Sequence, residues 1–179
     1  EIADAALVVG VEKMTDKVGA AVPAAAATAA DGDWEAAQGV TPTALAALIM
    51  RRYMHEHKVA LKDFAGFSVS AHANARTNPN AMFRNALTAE AYAKAGMVSD
   101  PINVFDSAPD ADGAAALIVA AVPARVRVAA STMATDALAV HDRPDMLTFE
   151  AARLSAARAY ELAGIGPDEV DLFELHDAF

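Results

Sequence analysis

The sequence predicts an α/β protein in which helices cover a largely parallel sheet. Short apolar runs rich in branched residues, Ala5–Val11 first among them, alternate with stretches of helical periodicity. Helix starts and stops are marked by threonine, proline and glycine, as at Thr41-Pro42 and Gly164. Alanine dominates a chain of 179 residues in which 21% are charged and mean hydropathy is +0.22, a mix that suits tightly packed helices rather than disorder.

The elements follow in order. Ala5–Val11 (ALVVGV) reads as a buried strand, with Gly10 admitting a close backbone neighbour. Residues 20–33, rich in Ala, Pro and Gly, read as a loop. Thr41 caps a helix with Pro42 at its first position, and Leu45, Leu48, Ile49 and Tyr53 form its apolar face toward His57. Phe64–Ala71 (FAGFSVSA) reads as a strand, which places His72 in the loop beyond it. Thr88–Gly96 is a second helix, capped by Thr88 and stopped by Gly96. Ile102–Phe105, a buried Ala114–Val122 and Val126–Thr132 are further strands. Thr148 caps a helix that runs to Ala163 and ends at Gly164; Pro167-Asp168-Glu169 then turns into a last strand, Val170–Leu175. The chain enters its first strand almost at once, with neither a start methionine nor a secretory signal pattern, as expected of a piece of a longer protein. The longest uncharged stretches are too short to span a bilayer.

There are no cysteines, which excludes disulfides, zinc-thiolate sites and a cysteine nucleophile from within these residues. The net charge of −10 is unevenly spread. Residues 41–100 hold seven of the 14 basic residues and four of the 24 acidic ones, so that stretch carries +3 and the remainder −13. A basic middle in an acidic chain fits a local anionic ligand, a phosphorylated cofactor rather than a nucleic acid; a basic helix surface is the plainer reading.

Asp106–Gly113 (DSAPDADG) has the look of a calcium loop, but Ala108 and Val119 stand where ligands are required, so a tight turn into a strand accounts for it better. His55 and His57, two apart on a helix, point to different faces and share no metal. His72 opens onto a polar run, Ala71–Asn80, at a strand end where open α/β folds bind ligands; a structural or exposed histidine is the alternative. His176 and Asp177 follow the final strand, and a histidine there can orient water or donate to a developing oxyanion, or be merely satisfied.

Four blocks together resemble the thiolase superfamily, in the branch of sterol-carrier-type thiolases and archaeal acetyl-CoA acetyltransferases. They are Leu7–Thr15 (LVVGVEKMT), Gly39–Met54 with Ala71–Arg84 (AHANARTNPNAMFR), Asp106–Val119 (DSAPDADGAAALIV) and Asp171–Phe179 (DLFELHDAF). The resemblance implies part of a layered α/β/α/β/α fold. Residues 1–22 and 101–124 would be the late part of a first half, 23–100 an inserted loop domain that holds coenzyme A, and 125–179 the start of a second half. It implies acyl-CoA as substrate, no tightly bound cofactor and no metal, with His72, Arg76, Asn78 and Arg84 facing the coenzyme. The box His176-Asp177-Ala178-Phe179 would put His176 at an oxyanion hole in Claisen condensation or thiolysis. Ala178 departs from the cysteine of some branch members. The nucleophilic cysteine would lie upstream and a second cysteine and histidine downstream. The branch also implies a cytoplasmic homodimer or homotetramer, a possible zinc-ribbon/OB-fold protein partner, and neither nucleic acid nor membrane. Two other readings stay open: a retro-aldolase acting on steroid side-chain CoA thioesters, and a non-catalytic acyl-CoA-binding scaffold.

Overall fold

A computed structural model describes residues 3–179; the first two residues of the expected 1–22 segment lie outside the described residues. In chain order the elements are β1 (Ala5–Glu12), α1 (Ala21–Ala26), α2 (Pro42–His57), α3 (Ala65–Ala75), α4 (Ala89–Ala93), β2 (Met97–Ser99), β3 (Ile102–Asn103), β4 (Gly113–Ala120) and α5 (Glu150–Ala163). The chain is α/β, as its patterning predicts.

Two compact units are present, each discontinuous in sequence. The first comprises the chain up to Ala25, Pro109–Asp136 and Phe149–Leu175. Its sheet is a ribbon of β1 and β4, antiparallel from Ala5 opposite Ala120 to Glu12 opposite Gly113. Thr15 clasps its open end: the Thr15 hydroxyl donates to Asp112 Oδ2 at 2.6 Å and its amide to Oδ1 at 3.0 Å. Helix α5 belongs to the same unit, where the Thr132 hydroxyl donates to the Ser155 carbonyl at 2.8 Å. Gly164 ends α5 at φ +68°, the left-handed conformation a helix C-cap requires.

The second unit comprises Ala26–Ala108, Ala137–Thr148 and His176–Phe179. Helix α2 starts as predicted, with the Thr41 hydroxyl accepting from the Ala44 amide at 3.2 Å and Pro42 behind it. It packs against β2 and β3, a short antiparallel pair. The core forms where α3 meets α4: Ala65, Leu87 and Tyr92 are buried, and Leu61, Phe64, Val69 and Phe105 close around them. Each large apolar side chain fully buried there contributes about 1.5–3 kcal/mol. Glu35, only 5% exposed, ties two loops of this unit together. It accepts from the Asp31 amide through Oε2 and from the Val140 amide through Oε1, both at 2.9 Å. Trp34 beside it is 71% exposed and meets the His141 ring edge-on at 6.1 Å.

Several expectations are corrected. The sheets are two antiparallel pairs, not a parallel sheet. Phe64–Ala71 is not a strand: Ala65–Ala75 is helix α3, and His72 lies in its last turn. The inward positions Ala65, Ser68, Val69 and His72 fall at helical spacing, but two are polar, while Phe67 points outward at 77% exposure. Residues 20–33 are not plain loop. Helix α1 takes Pro23 in its first turn, where no intrahelical N–H is needed, and the single-turn helix Ala27–Ala29 follows. Helix α4 ends at Ala93, short of Gly96. Thr148 does not cap α5; its hydroxyl donates to Asp145 Oδ2 at 2.6 Å, and Phe149 takes the cap position. Ile102–Phe105 is paired only over Ile102–Asn103. Val126–Thr132 and Val170–Leu175 have no ladder partner among the described residues and are not strands. The strands expected to be buried, β1 and β4, are exposed along their whole length, since a two-stranded ribbon leaves both faces open unless another layer covers them.

Candidate functional site

Four of the five nominated residues lie at or near the C-terminal end of α3. The His72 ring is half-buried on the inner side of that helix. Its Nδ1 lies 3.0 Å from the Asn85 carbonyl, and a carbonyl accepts only, so Nδ1 carries the proton. In the neutral ring Nε2 is then left with a lone pair. The ring edge also meets Phe105 at 5.8 Å. Arg76 stands one helical turn beyond His72, at the C-cap of α3. Asn78 closes the following turn, its Oδ1 accepting from the Asn80 amide at 2.9 Å. Arg84 immediately precedes the Asn85 that binds His72.

Charge at this end favours an anion held by side chains. Of the seven basic residues in 41–100, Arg51 pairs with Asp100 at 2.6 Å and Arg52 with Glu56 at 3.1 Å. Arg76 and Arg84 are exposed and have no carboxylate within salt-bridge range among the described residues. The helix C-terminus itself is the negative end of the α3 dipole, so a phosphate there depends on the guanidinium groups. A separate open groove of about 570 Å³ runs along the outer face of α3, lined by Asp63, Gly66, Phe67, Ser70, Ala71 and Asn74; none of the nominated residues lines it.

His176, the fifth, lies in the extended terminal segment. It is exposed, and among the described residues its ring has no hydrogen-bond partner, which leaves both ring nitrogens open to a water or a substrate oxygen. The segment is anchored two residues later, where the Ala178 carbonyl accepts from the Ala108 amide at 2.9 Å.

Sequence reasoning missed a buried hydrogen-bonded group on the segment that leads to Ala108. The Tyr92 hydroxyl donates to Asp106 Oδ1 at 2.7 Å, and the Asn103 amide to Asp106 Oδ2 at 3.0 Å. Asn103 Oδ1 accepts from the Phe105 amide at 2.8 Å, and the Phe105 carbonyl accepts from the Ser68 hydroxyl at 2.8 Å. Burial, then the Asp106 hydrogen bond and charge, push the Tyr92 hydroxyl well above the usual phenol range, while the Asn103 side chain works the other way. No local pattern announces a tyrosine and an aspartate 14 positions apart. Among the described residues there is no group of three or more His, Asp or Glu side chains placed to hold a metal ion.

Comparison with known proteins bears on the family and the fold. Residues 132–179 match the family model described as thiolase C-terminal domain-like. Acetyl-CoA acetyltransferase of Methanothermobacter thermautotrophicus is 41% identical over 98% of this chain and 47% of its own length. The Methanocaldococcus jannaschii protein of the same name is 38% identical, again over 98% of this chain and 47% of its own. A solved structure titled Ltp2-ChsH2(DUF35) aldolase superposes with a TM-score of 0.77 at 24% identity, covering 94% of this chain and 47% of that one, which speaks to fold. The fold and these likenesses together define a thiolase-like α/β protein. The chain belongs to the thiolase superfamily, and it spans about half the length of the curated relatives it matches.

Proposed function

We propose that the chain is the coenzyme-A-facing part of an acetyl-CoA C-acetyltransferase, which condenses two acetyl-CoA molecules or cleaves a 3-oxoacyl-CoA by thiolysis. The observation that carries this is 41% identity to an acetyl-CoA acetyltransferase across 98% of the chain. With no cysteine among its 179 residues, the thiolate that takes the acyl group is supplied from outside them. Residues 23–100 form the inserted loop domain, framed by 1–22 and 101–124 of a first half, and 125–179 open a second half.

The chemistry asked of this chain is binding and charge stabilisation. Arg76 and Arg84 meet the phosphates of coenzyme A. Asn78 and the Nε2 of His72 offer a polar edge to the rest of it. In thiolysis an external thiolate attacks the 3-oxo carbonyl; the C–C bond breaks, and its electron pair passes to the departing acetyl-CoA as an enolate. His176 donates, directly or through a water, to the thioester oxygen on which that charge collects. The enolate carbon then takes a proton, and a coenzyme A thiol removes the acyl group from the enzyme.

His176→Ala in the whole polypeptide tests this. Acetoacetyl-CoA cleavage should slow by roughly 10²–10³-fold at the C–C step, the usual loss of one oxyanion donor, with acetyl exchange between acetyl-CoA and the nucleophile nearly intact. An equal fall in both steps would falsify the assigned role.

A second reading is retro-aldol cleavage of a steroid side-chain CoA thioester, in which no covalent acyl-enzyme is needed; 27% identity to the 17-hydroxy-3-oxo-4-pregnene-20-carboxyl-CoA lyase of Mycobacterium tuberculosis over 78% of the chain supports it. Trapping with a radiolabelled acyl-CoA separates the two, since only the thiolase forms a labelled protein. A pure acyl-CoA-binding scaffold would turn over neither substrate. Assembly as a cytoplasmic homodimer or homotetramer, with or without a zinc-ribbon/OB-fold protein, belongs to the same proposal, as does a place in acyl-CoA and lipid metabolism.

A further inference from the structure

The segment Asn103–Ala108 touches His72 and, through its last residue, the terminal box that carries His176. Phe105 lays its ring against His72, and Ala108 donates its amide to Ala178, two residues beyond His176. Between them stands Asp106, whose two oxygens accept from the Tyr92 hydroxyl and the Asn103 amide. Tyr92 is 1% exposed and sits in the core with Leu87 and Ala65, so this hydroxyl is fixed by packing on every side. The Ser68 hydroxyl holds the Phe105 carbonyl from the same core. The turn is therefore pinned to the rigid part of its unit through side chains, and among the described residues the terminal box is pinned to the turn by one backbone hydrogen bond.

We propose that Tyr92 and Asp106 are positioning residues for His176: the buried Tyr92–Asp106 hydrogen bond fixes the turn whose Ala108 amide holds the terminal box in place. This rests on the oxyanion role given to His176 above. Neither Tyr92 nor Asp106 touches substrate in this account. They act through Ala108 and Ala178. An exposed histidine in an extended segment has no rotamer or register enforced by its own element, so its placement must come from such an anchor.

The discriminating variant is Tyr92→Phe in the whole polypeptide, which keeps the ring in the core and removes only the donor. Two readouts are needed. Amide hydrogen exchange at Ala108 should quicken by about tenfold as the turn loosens. The C–C step should fall on the order of ten- to a hundredfold relative to acyl transfer measured in the same sample, as expected for a misplaced group. A loss of folded protein lowers both steps together and leaves their ratio alone, so the ratio reports placement rather than stability. Asp106→Ala, which removes both acceptors, should move the ratio further in the same direction. Unchanged exchange at Ala108, or an unchanged ratio of the two steps, overturns the proposal. If the wild-type protein performed neither step, the functional reading would fall, and the exchange measurement would still decide whether Tyr92 governs the anchor.

Discussion

Asp112 is the residue whose ionisation the fold uses most openly. The Thr15 hydroxyl, then the Thr15 amide, hold its carboxyl below the usual carboxylate range. A carboxyl depressed on folding stabilises the fold above its unfolded value and loses that contribution as pH falls through its folded value. The clasp at the open end of the β1–β4 ribbon should therefore weaken only at acid pH. Following the Asp112 carboxyl carbon by NMR should give a midpoint below that of an exposed aspartate, and Thr15→Val should move it back up. Arg84 supplies a second test at this scale. An exposed guanidinium on a phosphate is worth about 0.2–1 kcal/mol, so Arg84→Ala should raise KM for the CoA substrate about 1.4- to fivefold with kcat little changed. A fall in kcat at constant KM would remove Arg84 from the binding role.

Helix starts are legible where a capping hydroxyl faces a free amide, but not at Thr148, whose hydroxyl is spent on Asp145. Thr41-Pro42 and Thr88 start helices because a hydroxyl facing an unsatisfied amide is a local event, readable from four residues. Helix α3 was not legible, since its inward face uses Ser68 and His72 and its outward face shows Phe67. Reading those as an alternating strand follows from residue type; only the partner across the core, the Phe105 carbonyl for Ser68, shows why a polar residue faces inward. The same error placed His72 in a loop. The nominated residues from His72 to Arg84 are near neighbours in sequence, whereas the Tyr92–Asp106 bond depends on packing between distant segments and leaves no trace in either stretch. Helix α2 offers a test. Lys58 follows it at φ 56°, ψ 34°, in the left-handed region where a Cβ is strained. Lys58→Gly should raise stability by about 0.5–1 kcal/mol, seen as a higher thermal midpoint.

Across the whole molecule, apolar surface is distributed unequally. One face of the ribbon shows Leu7, Val9, Val11 and Ile118, the other Val8, Leu117 and Val119, and all are exposed. Paired strands with two open apolar faces are adhesive. The 179-residue polypeptide by itself should self-associate and bind a hydrophobic dye. Leu7→Lys with Ile118→Lys should reduce both, as judged by light scattering and dye fluorescence; a monomeric wild-type chain would contradict this. The second unit has a core of its own and depends less on added cover. That contrast was hidden in composition, because the apolar residues of both units look alike until their neighbours are known.

The loop tie at Glu35 gives the protein a built-in optical gauge. Trp34 is the chain's one tryptophan, and it sits next to the carboxylate that joins residues 31–40 to residues 137–148. Its indole, open to water yet touching His141, emits from the surface while its decay depends on that imidazole. A time-resolved emission record would thus follow the opening of this single joint, with no label added and no other indole in the chain to blur the signal.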